Sequence, residues 1–164
     1  MEKQNHEHSK EKKFVDYVIK RLPYETRFGA ALRRGGSPPT EYQAWEYLAP
    51  WCDITKDYIR RPYMAVAAAI ASEKPARDGS LGLGQALALC YEDGRNAEPA
   101  KARLRRLLAC ENVGEVISVL RPVLRLIQSR SVRINYEKLL KDLIYFGEKV
   151  KLKWASDFYG RSEL

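Results

Sequence analysis

The sequence predicts an all-α fold, a compact helical bundle of about eight to nine helices, on three observations. Apolar residues recur at intervals of three and four through most of the chain. Caps and breakers separate those segments, and no run alternates apolar with polar residues as a half-buried strand would.

Residues 1–12 read as a polar tail ahead of a single domain over 13–164, or two small lobes sharing a core. "FVDYVIKRL" then places Phe14, Val15, Val18, Ile19 and Leu22 on one helical face. Gly35 and Gly36 stop "RFGAALRR"; Ser37 is a candidate N-cap, Pro38 suits the first helical position, and Pro50 closes the segment. "YMAVAAAIASEKPARDG", rich in Ala, predicts a helix followed by a turn. Asn96 or Glu98 with Pro99 starts "AKARLRRLLAC", where Leu104, Leu107 and Leu108 oppose Arg103, Arg105 and Arg106. "NVGE" at 112–115 has capping-box spacing. In "EVISVLRPVLRLI", Val116, Leu120, Val123, Leu124 and Ile127 share a face, and Arg121 and Arg125 lie one turn apart. Pro122, lacking an amide hydrogen, predicts a kink or a division there. Asn135 starts a helix read over 134–149, with Tyr136, Leu139, Leu140, Leu143 and Phe146 on one side. Lys138, Lys141, Tyr145 and Lys149 occupy the other side, a basic stripe suited to phosphates.

A chain of 164 residues, 45% hydrophobic, can bury a sizeable core without staples. Cys52, Cys90 and Cys110 lie far apart with no C-x-x-C spacing, which argues against a disulfide framework and a zinc cage and fits a reducing cytoplasm. No apolar run is long enough to span a membrane, and the charged start is unlike a signal peptide. The net charge of +8 is uneven. Residues 101–164 hold 14 Lys/Arg against 7 Asp/Glu, and residues 1–100 hold 15 against 14, so +7 of the +8 lies in the last 64 positions. A polyanion partner follows, or a set of merely solubilising faces. Arg33–Arg34 before a glycine pair and Arg60–Arg61 before a proline add candidates for phosphate contact.

No motif requires an enzyme. The only histidines, His6 and His8, stand in the polar tail, so no imidazole base and no histidine partner for a cysteine exists in the folded body. Asp53 with Asp57, and Glu92 with Asp93, lack the further carboxylates of a magnesium site. "SLGLGQALALC" contains G-x-G, but bulky Leu87 takes the third small position, no strand precedes it and no Lys-Ser or Lys-Thr follows. No cofactor and no metal is expected.

The ordered set "ALRR" at 31–34, "SLGLGQALA" at 80–88, "ARLRRLLAC" at 102–110, "LRPVLRLI" at 120–127 and "INYEKLLKDLIYFGEKVKLKWASDFYG" at 134–160 resembles the CasB family. That family supplies the small helical subunit of the type I-E CRISPR surveillance complex, Cascade. The resemblance covers about residues 13–160. It implies a non-catalytic subunit in antiviral defence, whose paired copies lie along the crRNA-carrying backbone and touch the large subunit at one end. It also implies contact with target DNA in the R-loop, including the displaced strand. Gly82 and Gly84 would then serve tight turning and close helix packing. Arg33, Arg34, Arg60 or Arg61, Arg121 and Lys149 match positions where the family carries basic residues facing nucleic acid. Arg103, Arg106, Lys138 and Lys141 rest on the helical faces. Tyr145–Phe146 replace a tryptophan common in the family, keeping an aromatic core contact; Trp154, Phe158 and Tyr159 are expected in the core or at a subunit contact, and Trp45, Tyr47 and Trp51 at subunit contacts. From the residues alone, a stand-alone helical nucleic-acid-binding or regulatory protein remains the alternative.

Overall fold

The structure, a computed structural model, describes residues 8–160. Nine α-helices occur among the described residues: α1 (Lys10–Arg21), α2 (Thr26–Gly35), α3 (Trp45–Leu48), α4 (Asp57–Glu73), α5 (Leu83–Leu89), α6 (Glu98–Leu108), α7 (Val113–Ser129), α8 (Tyr136–Ile144) and α9 (Glu148–Tyr159). Their buried residues form one contiguous core. α4 is its axis, with α1, α2, α7 and α8 packed around it, while α5 lies against α9.

Local chemistry sets the boundaries. The Asn112 side chain accepts from the Glu115 amide at 3.0 Å, and Glu115 reaches back to the Glu111 amide at 2.8 Å, one residue earlier than a standard capping box. Asn135 caps α8 by accepting from the Lys138 amide at 2.7 Å. Helix α1 begins at Lys10, within the predicted tail, because Ser9 accepts from the Lys12 amide at 3.1 Å and donates to Glu137 at 2.9 Å. Ser37 makes no side-chain cap; Pro38–Ala44 winds as a 3₁₀ segment before α3. Pro122 does not divide α7, which runs unbroken over 17 residues with the proline on its exposed side. The helix predicted over 134–149 is two helices. It breaks at 145–147, where Tyr145 is the C-cap of α8 and Gly147 the N-cap of α9. Lys138 and Lys141 therefore stand on a different helix from Lys149, and the single basic stripe is not formed.

The junction between the helix pairs is a loop knot. Leu81 and Ile134 make an isolated parallel bridge. Asp78 accepts from the amides of Gly79 at 2.9 Å, Tyr136 at 2.7 Å and Glu137 at 3.2 Å, closing the N-terminus of α8. Burial pushes its carboxyl above the usual range although the three amides pull the other way. The Asp142 carboxylate, which is buried, accepts from the Trp154 indole at 2.9 Å and from Lys153 at 3.0 Å, tying α8 to α9. Trp154 is wholly buried and Phe158 nearly so, as core residues, and Phe146 packs on Trp154 with ring centroids 5.8 Å apart. Tyr145 departs from the expected core contact and is 72% exposed.

The G-x-G stretch is structural. A Cβ on Gly84 would stand 2.2 Å from the Trp154 carbonyl oxygen and 2.7 Å from the Phe158 amide nitrogen, so α5 meets the backbone of α9 directly. Gly82 adopts ordinary extended angles, and a Cβ there would meet only the Asp157 carboxylate oxygen at 2.9 Å, the end of a side chain that can turn away. Gly84→Ala is thus expected to cost about 2 kcal/mol or more and lower Tm by about 4–8 °C, while Gly82→Ala stays within about 0.5 kcal/mol. Thermal denaturation of the two variants checks this, and equal effects would contradict the packing argument.

All three cysteines are free and buried. Burial raises the Cys52 thiol to about 11 and raises Cys90 and Cys110 as well, so little thiolate exists at neutral pH. A thiol reagent at pH 8 should leave the folded protein unmodified and label all three on denaturation; rapid labelling of the native protein would refute it.

Candidate nucleic-acid interface

Helices α4 and α7 run side by side in the same direction and bound a groove of about 540 Å³. At one end, a Cβ on Gly114 would lie 2.6 Å from Arg61 Nη1. Toward the other, Gln128 Nε2 donates to the Ala69 carbonyl at 3.0 Å. On the α4 side the groove is lined by Arg61, Ala65, Ala68 and Ser72, spaced three or four apart and hence on one face. From α7 come Ile117, Arg121, Arg125 and Gln128 with the same spacing. The end of α2 borders the middle. A Cβ on Gly36 would stand 3.2 Å from Ala68 Cβ and 3.7 Å from Arg121 Nη2, and one on Gly35 would collide with Met64 and Ala44.

Four arginines line this groove: Arg33, Arg61, Arg121 and Arg125. Arg33 has a second duty. Residue 75 is proline, so the Ala71 carbonyl near the end of α4 has no amide at the usual position, and Arg33 Nη1 supplies a donor at 3.2 Å. Arg61 is half-exposed and 4.0 Å from Asp57. Arg121 and Arg125 are exposed and make no hydrogen bond or ion pair among the described residues. Among the described residues, Glu41 is the sole carboxylate lining the groove. Its charge is held by Arg60, at 2.8 Å, so the field in the groove is positive.

Of the residues predicted from sequence, Arg33, Arg61 and Arg121 come together here and the others do not. Arg60 lies in the first turn of α4, with a side chain 14% exposed, held by Glu41, by Asp57 at 2.8 Å and by the Ile54 carbonyl at 2.7 Å. Burial is the largest single influence and lowers its pKa, but the hydrogen bonds and charges of Glu41 and Asp57 together outweigh it and raise the pKa. Arg34 is exposed and bonded to Gln43 at 3.4 Å, outside the groove. Arg103 donates to the Tyr91 hydroxyl at 3.0 Å, half-buried on α6, and Arg106 is exposed in the last turn of that helix. Lys141 pairs with Glu137 at 3.0 Å; Lys138 on α8 and Lys149 in the first turn of α9 are exposed. Arg125 was legible as Arg121's neighbour one turn on, and the spacing of Arg61, Ala65, Ala68 and Ser72 in the sequence marks the face that joins them.

The candidate catalytic carboxylates are used locally. Asp53 accepts from the Thr55 amide at 3.1 Å and hydroxyl at 2.6 Å, and Asp57 serves Arg60. Among the described residues no group of three or more His, Cys, Asp or Glu is placed to hold a metal, and no helix is long and apolar enough to cross a membrane. His6 lies outside the described residues, and His8 is exposed. Trp45 is 39% exposed beneath the Arg60 guanidinium, at 5.8 Å, while Tyr47 and Trp51 are half-buried against the core.

Known proteins share this fold and part of the sequence. A chain of a solved "CRISPR RNA-guided surveillance complex, pre-nicking" is 31% identical, with a TM-score of 0.74 and 92% of each chain covered. A chain of a "CRISPR RNA-guided surveillance complex" is 29% identical, with a TM-score of 0.76, covering 92% of this chain and 91% of that one. CasB from Thermus thermophilus, 24% identical with a TM-score of 0.76 over 94% of this chain and 100% of its own, shares the fold. No curated protein matches. The family model for the CRISPR-associated protein Cse2 matches residues 29–159, from α2 to the end of α9, and the chain belongs to the Cse2, or CasB, family.

Proposed function

We propose that this chain is the small, non-catalytic subunit of a type I-E Cascade complex and that its arginine groove holds the displaced strand of the target-DNA R-loop. In this reading it works in the cytoplasm, beside a second copy of itself along the crRNA-carrying backbone and in contact with the large subunit. The observation that carries the reading is the groove itself: four arginines line it, and its one carboxylate among the described residues is paired with Arg60.

The chemistry is electrostatic. Guide pairing reads the sequence, and exchanging a DNA duplex for a guide–target heteroduplex is nearly balanced in free energy. A few phosphate contacts on the released strand can therefore tip the exchange toward the open state. Arg121 and Arg125, with no internal partner among the described residues, are available for those contacts, and Arg61 is only loosely held. Arg33 is fixed by the Ala71 carbonyl, so it presents its remaining N–H groups from a set position at no further ordering cost. The exposed Arg34, Arg106, Lys138 and Lys149 extend the basic surface outside the groove. Arg60, Arg103 and Lys141 act mainly within the fold, through Glu41, Tyr91 and Glu137.

The test is reconstitution with the other Cascade subunits and a crRNA. The double variant Arg121→Ala/Arg125→Ala should enter the complex normally and keep its Tm, yet bind duplex target about ten-fold more weakly at low salt. The slope of log K against log salt should become shallower by about 2, near 0.9 for each phosphate that is no longer neutralised. Because such phosphate pairing carries no base information, the weakening should be equal for unrelated target sequences. An unchanged slope, or a weakening confined to particular target sequences, would overturn the assignment.

A further inference from the structure

A second depression, of about 360 Å³, opens beside the groove between the end of α1, the start of α2 and the residues that follow α4. Arg33 lines both, so the two adjoin at its side chain. Ile19, Leu22, Thr26, Gly29, Lys74 and Pro75 are among the residues that line the second one, and among the described residues no carboxylate does. The nearest acid along the chain, Glu73, is engaged elsewhere, hydrogen-bonded to the Tyr136 hydroxyl and paired with Arg133 at 3.6 Å.

Lys74 is unusual in two ways. It ends α4 in the left-handed region, at φ 52° and ψ 55°, where a side chain is disfavoured and glycine is the common choice. Its backbone completes the helix by donating to the Ile70 carbonyl at 2.8 Å, a bond that glycine would make equally well. Its side chain is exposed, and its ammonium has neither hydrogen bond nor ion pair among the described residues. From Arg61 to Lys74 along α4 is about 20 Å at about 1.5 Å per residue, long enough to follow several nucleotides of a single strand.

We infer that the strand path continues past Arg33 into this second depression and that Lys74 binds a phosphate at its far end. The inference rests on the reading that the groove takes the displaced strand.

The experiment compares Lys74→Gly and Lys74→Arg in the reconstituted complex, on a duplex target and on a single-stranded target that has no displaced strand. Lys74→Gly should weaken duplex binding about three- to ten-fold at low salt and make the salt slope shallower by about 1, with a Tm equal to or above that of the parent protein. Lys74→Arg should bind like the parent, and neither variant should alter single-stranded target binding. Stability and binding move apart, which a purely structural lysine would not produce. Unchanged duplex binding by Lys74→Gly, or an equal weakening on both targets, would overturn the inference. If Arg121→Ala weakens duplex binding while Lys74→Gly does not, only the extension falls; if both leave it unchanged, the groove reading falls with it.

Discussion

The carbonyl oxygens at the C-terminal end of α4 are the constraint around which the molecule is arranged. A helix end leaves its last acceptors without intrahelical donors, and Pro75 removes one amide that a continuing chain would offer. Arg33 of α2 supplies a donor to Ala71, the Lys74 amide closes back on Ile70, and Gln128 of α7 adds a bond to the Ala69 carbonyl, which already faces the Glu73 amide within the helix. Tyr136 of α8 meets Glu73 at the same place, and Gln128 also donates to its hydroxyl at 3.3 Å. Three helices distant in sequence are thereby oriented at one helix end. The bonds from α2 and α7 hold the helices that border the groove against the same stretch of α4.

Charge in this protein divides into two populations. One is consumed inside the fold, as in the nearly buried pair of Arg60 with Glu41 and the bond of Arg103 to Tyr91. Removing either partner of such a pair strands the other in a poor dielectric, so these residues report on stability before anything else. The other population, headed by Arg121 and Arg125, is exposed and has no internal partner among the described residues. The glycines matter here through their missing side chains. Gly114 leaves the space that Arg61 occupies, and Gly36 keeps the end of α2 close to Ala68 and Arg121.

Much of this was legible in the sequence because it is local. The caps at Asn112 and Asn135 need only residues within one turn, and the apolar faces of α1 and α7 follow from spacing alone. The break between α8 and α9 was not legible, since an apolar periodicity continues through Ile144 and Phe146 and Gly147 can be read as helix interior. The division that Pro122 suggests does not occur: the proline lies on the solvent side of α7, where loss of one amide is tolerated. The site shows the same divide. Arg60 and Arg61 are adjacent and chemically identical in the sequence, yet about 100° of helical rotation sends one onto Glu41 and the other to the groove. Which arginines are free depends on carboxylates far along the chain, as Glu41 is from Arg60, and spacing alone does not reveal that.

The close approach of α5 to α9 has a consequence for the order in which the molecule can be completed. Gly84 finds its backbone neighbours at Trp154 and Phe158, some 70 residues later (154 − 84 = 70). At about 5–20 residues per second, several seconds of synthesis separate the two helices. During that interval α1 to α4 can already associate, whereas Leu83, Ala86 and Leu87 wait with an uncovered apolar face. The nascent chain therefore carries in the middle of its sequence an apolar helix that α6 and α7 cover in part and whose packing is completed only when α9 docks.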